Sequence, residues 1–160
     1  MTKLFLALHV LAAIIAVGPV TVAAGMFPRV LRRAQRDPRD SAARSGLRIL
    51  HRICRAYATI GIAVPVLGLA TAGSLGVLSS PWLIASVVLT AGAAAVLALL
   101  VLPCQDSALA AVEAAADLAG APIPGHQAAG RLAMLTGLFN LLWATVTVLM
   151  IIRPGSTTGA

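Results

Sequence analysis

The chain has 160 residues, 59% of them hydrophobic and only 11% charged, with a mean hydropathy of +0.95 and a net charge of +7. Charged residues make up roughly a quarter of an ordinary soluble domain, so this composition excludes one. It predicts a single membrane-embedded helical domain over 1–160, with little aqueous chain left for a separate catalytic unit.

Leu4 to Pro28 contains no Asp, Glu, Lys or Arg. About 20 helical residues cross the ~30 Å hydrocarbon core of a bilayer, so a first span is predicted over 4–25. His9, Ala12, Ala13, Ala16 and Ala23 fall in one narrow arc of this helix, opposite Leu11, Ile14 and Ile15. Lys3 and the small residues Ala23-Ala24-Gly25 resemble a signal peptide. The apolar run is longer than a signal core, and arginines follow it directly, so the segment reads as a retained helix.

Nine of the twelve basic residues come next: Arg29, Arg32, Arg33, Arg36, Arg39, Arg44, Arg48, Arg52 and Arg55. Only Asp37 and Asp40 oppose them. Between two spans, with few aromatics, this pattern reads as a cytoplasmic loop over 29–55 held inside by the positive-inside rule, with attraction to anionic headgroups as a compatible effect. It does not read as a nucleic-acid site. Asp40 or Ser41 can cap a helix whose apolar face, Leu47, Leu50, Cys54 and Tyr57, leads into the second span over 56–78. Small residues line that span at Ala58, Gly61, Gly68 and Ala72, and kinks are predicted at Pro65 and at Gly18-Pro19.

Leu78-Ser79-Ser80-Pro81-Trp82 turns the chain, with Trp82 at the membrane surface. The third span, 82–102, turns Ser86, Thr90, Ala93 and Leu97 inward. A second cytoplasmic loop follows over 105–130. Within it Ser107 to Leu118 is Ala-rich enough for a surface helix, Asp106, Glu113 and Asp117 form a solvated face, and Gly120-Ala121-Pro122 ends the segment. The fourth span, 132–152, carries Ala133, Thr136, Gly137, Asn140, Ala144 and Thr147 as its packing stripe. The fold class is therefore an all-α bundle of four transmembrane helices in a bacterial inner membrane, with both termini outside.

His9 is the only ionisable side chain within a span. Such a group is costly in hydrocarbon and marks a functional position by default; the plainer alternative is a neutral imidazole bonded to a Ser or Thr of another helix. A haem held by two histidines lacks its second ligand, because His51 and His126 lie at the other side of the membrane, so a single-His haem, a quinone or a metal ion are the ligands open to His9. His51, Cys54, Cys104 and His126 have the ligand types for a zinc ion, although small buried cysteines at helix ends are commoner than zinc ligands. A disulfide between the two cysteines is not expected on a reducing side. Gly61, Gly68, Gly137 and Asn140 are the predicted packing positions, Asn140 as interhelical glue. No nucleophile with its base, phosphate loop or carboxylate pair stands out.

The segments Leu8-His9-Val10-Leu11-Ala12-Ala13, Gly18-Pro19-Val20, Met26-Phe27-Pro28-Arg29, His51-Arg52 and Leu141-Leu142-Trp143, with the ending Met150-Ile151-Ile152-Arg153-Pro154-Gly155, resemble one bacterial family. These are small four-helix integral membrane proteins, common in actinobacteria, catalogued as a domain of unknown function. The resemblance implies a fold and a location. His9, Gly18 and Arg29 also follow the outline of the copper-resistance D and protoporphyrinogen-oxidase J membrane proteins, with Ala16-Val17 where those carry a Trp. That likeness implies haem, copper or oxidase chemistry at His9. The expected function is a non-enzymatic subunit or assembly partner of a larger respiratory or transport complex, with the lipid bilayer and other membrane subunits or a second copy of the chain as partners; the alternative is a redox or cofactor protein built on His9.

Overall fold

The computed structural model describes residues 2–118 and 126–154, apart from the side chain of His126. Every element is helical: α1 (Thr2–Arg36), α2 (Ser41–Ile60), α3 (Ala63–Leu75), α4 (Pro81–Ala95), a π-helical turn (Val96–Val101), α5 (Leu102–Asp117) and α6 (His126–Ile152). These make four rods, because α2 continues into α3 and α4 runs through the π turn into α5. All four are long and apolar enough to cross a membrane. The chain is an all-α integral membrane protein.

The rods are longer than their apolar runs. At about 1.5 Å per residue, the 35 residues of α1 reach roughly 52 Å, well past a ~30 Å hydrocarbon core. The expected loop 29–55 is the end of α1 and the start of α2, joined by a short turn around Asp37–Asp40; α2 begins at Ser41, where a capped helix is expected, whereas the run of α1 to Arg36 is not expected. Asp40 caps α2 by accepting the Ala43 N–H at 3.0 Å. Likewise 105–117 continues the third rod and does not turn aside along a surface. The break expected at Gly120-Ala121-Pro122 lies outside the described residues. The physical reason is that the 3.6-residue apolar stripe does not stop where the charges begin. Phe27, Leu31 and Ala34 extend it on α1, Ala43, Leu47 and Cys54 on α2, and Ala108, Val112 and Ala115 on α5, and all of these are buried.

The best-filled core of the molecule therefore lies at the arginine-rich end. Phe27, Leu31, Leu47, Gln105, Val112 and Cys54 are among the largest fully buried side chains, and all stand in or beside these extensions. In water, burying large apolar side chains drives helices together; in lipid that drive is absent. Rod one packs along rods two and four, and rod four packs on rod three. Rods two and three meet mainly through α2 and α5, so the bundle is closed at the arginine-rich end and open at the other. A smaller cluster of Ala72, Trp82 and Leu83 holds the open end. Trp82 is 8% exposed, with the Arg153 guanidinium 5.7 Å from its ring centre.

Prolines set the irregularities. Pro65 has no N–H to give the Gly61 carbonyl, which accepts from Val64 N–H at 3.1 Å instead, and rod two breaks at Gly61–Ile62. Pro28 similarly frees the Ala24 carbonyl, toward which the Thr136 hydroxyl of α6 donates at 3.5 Å, and α1 stays unbroken through both Pro19 and Pro28. Gly76 ends α3 at φ 68°, a left-handed conformation suited to glycine, and Val77 N–H closes back on the Ala72 carbonyl at 3.2 Å.

On α1 the expected arc faces inward, and Leu11, Ile14 and Ile15 face out. Rod three likewise buries Ser86, Ala93 and Leu97. On α6 Thr136 alone of the expected stripe is buried; the inward face is otherwise Ala129, Leu132, Leu135, Phe139 and Val146, while Ala133, Gly137, Ala144 and Thr147 are exposed.

Candidate functional sites

His9 is half-buried between α1 and α3. Its Nδ1 lies 2.9 Å from the Val64 carbonyl oxygen. A carbonyl only accepts, so Nδ1 carries a proton, and in the neutral ring Nε2 is then the nitrogen with the lone pair. One turn along α3, a Cβ added to Gly68 would stand 2.9 Å from His9 Cε1. The imidazole occupies the space that Gly68 leaves open. The partner is thus a backbone carbonyl, not one of the expected hydroxyls. Thr71 and Ser86 hydroxyls donate to the carbonyls of Leu67 and Trp82 in their own helices, each at 2.8 Å.

The second site joins α2 to α5. His51, 8% exposed, places Nδ1 3.2 Å from Gln105 Oε1, and Gln105 Nε2 donates to Cys54 Sγ at 3.7 Å. Gln105 is fully buried. His51 Nε2 lies 2.9 Å from Asp106 Oδ1 but out of line for a hydrogen bond, so their attraction depends on a protonated ring. Two turns further out, Arg48 Nε donates to Glu113 Oε1 at 2.7 Å. Asp106 and Glu113 thus face the basic helix α2 and do more than solvate a surface. Burial pushes the Cys54 thiol up from its ordinary value, against the lowering effect of Gln105.

Of the proposed zinc ligands, His51 and Cys54 meet through Gln105, and Cys104 is half-buried against the main core. The side chain of His126 lies outside the described residues. Among the described residues no group of three or more His, Cys, Asp or Glu side chains is placed to hold a metal ion. Nothing in the type or spacing of Gln105 singles it out in the sequence; a lone amide at the end of a charge-free run is the available signal.

Arginines cover the outer surface of this end. Arg29, Arg32, Arg33 and Arg36 form one stripe on α1, and Arg44, Arg48, Arg52 and Arg55 another on α2, at helical spacing. Arg33 Nε donates to Asp40 Oδ2 at 2.6 Å. The Ala43 N–H foremost, and then Arg33, hold the Asp40 carboxyl below its ordinary range.

Asn140 sits at the edge of the exposed α6 face. Its Oδ1 is buried without a hydrogen-bond partner among the described residues. Gly130 and Gly137, on the same face, have nothing within 4 Å of where a Cβ would stand. Gly61 lies at the break of rod two and is half-buried.

No curated protein and no solved structure matches the chain. One family model, described as "Predicted integral membrane protein (DUF2269)", matches residues 3–154. With nearly the whole chain covered and four rods fit to span a bilayer, this protein belongs to the DUF2269 family of integral membrane proteins.

Proposed function

We propose that the protein is a non-enzymatic helical subunit or assembly partner of a larger membrane complex, of respiratory or transport type, in the bacterial cytoplasmic membrane. In this reading the arginine-rich end is cytoplasmic and both termini are outside, which the nine arginines between Arg29 and Arg55 support through the positive-inside rule. The observation that carries the assembly role is the outer face of α6. Ala133 and Gly137 form a small-xxx-small pair on it, continued by Ala144, and all three are exposed. In lipid, helices associate through such faces, because small residues let two backbones approach closely. The partner is another subunit or a second copy of this chain.

Purification in mild detergent followed by mass spectrometry tests the reading. Wild type should come out in a stoichiometric assembly, and Gly137→Leu should fold yet lose it. A lone monomer from the native membrane contradicts the proposal.

A second role rests on His9, whose fixed tautomer leaves Nε2 free to ligate. Haem, a quinone or a metal ion are the ligands in question. A haem would give the purified protein a Soret band that His9→Ala removes; a colourless preparation, free of metal and quinone, rules the role out.

A further inference from the structure

Rods two and three part at one depth. Rod two breaks at Gly61–Ile62, and rod three widens at Val96–Val101, where Leu102 N–H reaches back to the Leu97 carbonyl. Cys54 against Gln105 and Arg48 against Glu113 set the antiparallel register that brings these two irregularities level. Beyond them α3 and α4 make little direct contact until Ala72 meets Trp82 and Leu83 near the turn that joins the two helices. In the fork lies a cavity of about 160 Å³, lined by residues of all four rods. Ile62, 63% exposed, and Ala94 stand at its mouth, so it opens sideways to lipid.

The lining is apolar except at Tyr57, Thr90 and Trp143. Thr90 is occupied, its hydroxyl donating to the Ser86 carbonyl at 2.7 Å. Neither the Tyr57 hydroxyl nor the Trp143 N–H has a partner among the described residues, and neither is sealed from the surroundings. A second apolar hollow of about 220 Å³, lined by Leu69, Leu83 and Val87 among others, follows one turn further along the fork.

Two open donors in a lipid-facing slot call for an occupant with acceptors, because hydrocarbon leaves them unpaired. A cavity of about 150 Å³ takes one six-membered ring. No cation lines this one, which disfavours a phosphate headgroup, and an acyl chain would leave both donors unmatched. We propose that the cavity binds the carbonyl-bearing ring of a quinone-type membrane lipid, which enters between rods two and three and leaves its apolar tail along the fork.

The chain has two tryptophans, so Trp82→Phe leaves Trp143 as the reporter. In nanodiscs, decylubiquinone should quench Trp143 emission saturably. Ala94→Phe, or Ile62→Phe should the first variant misfold, should abolish the saturable phase with the helical circular dichroism unchanged. Tyr57→Phe should weaken binding about tenfold, the loss of one hydrogen bond. Decylbenzene, which lacks carbonyls, should not compete. Linear quenching that Ala94→Phe leaves intact overturns the proposal as mere partition into the bilayer. Competition by decylbenzene, or undiminished binding by Tyr57→Phe, overturns it in favour of an acyl-chain slot.

Discussion

At the scale of single residues, the closest interlock is His9 on Gly68. A methyl group at Gly68 would meet the ring at 2.9 Å, so Gly68→Ala should destabilise the fold by about 1–3 kcal/mol through overpacking. That cost should largely vanish in a His9→Ala background, where the ring is gone. A double-mutant cycle of thermal midpoints in detergent measures the coupling; additive effects would mean that the two positions do not touch. Asp40 gives a pH prediction. Its carboxyl is held below the ordinary value of 3.8, so its capping contribution is complete above that value and fades as pH falls through the lower folded one. Protection of the Ala43 amide from hydrogen exchange, taken against its intrinsic rate at each pH, should fall in that acid window. In Asp40→Ala the amide should lack that protection at every pH, with no remaining acid step.

At the scale of elements, the best-filled core lies at the arginine-rich end. Leu47 is fully buried in α2 outside the apolar run, so Leu47→Ala should cost about 2–5 kcal/mol. Leu141, 65% exposed on α6, should tolerate alanine within about 0.5 kcal/mol. Denaturation in mixed micelles compares them, and equal losses would contradict this placement of the core. The sequence made the four apolar runs and the inward arcs of α1 and rod three legible, because hydropathy and small-residue spacing report them directly. It did not reveal which face of α6 is inside: Ala133, Gly137 and Ala144 suit a close helix contact equally well within the bundle or outside it. The run of α1 on to Arg36 was hidden for another reason. Arginine is a good helix former, so a run of arginines marks a change of solvent and not the end of a helix. Gln105, which links His51 to Cys54, stays hidden in the sequence because a single amide has no spacing pattern to betray it.

As a whole, the proposed topology makes the molecule four membrane rods gathered by a helical stub in water. The contacts of Val30 with Gly46 and of His9 with Gly68 set rods one and two in antiparallel register, which places Arg55 near the level of Thr21 and Val22. In that topology about four turns of α1, α2 and α5 stand beyond the bilayer on the same side. Labelling single cysteines with a membrane-impermeant maleimide tests this most directly, in a background with Cys54→Ala and Cys104→Ser that retains its helical circular dichroism. Ser45→Cys and Ala110→Cys, exposed on the stub, should label in inverted vesicles and not in right-side-out ones. Ile14→Cys and Leu99→Cys, exposed on the rods within the apolar runs, should label in neither. Labelling of Ser45→Cys and Ala110→Cys from opposite sides, or ready labelling of Ile14→Cys and Leu99→Cys, would contradict the account.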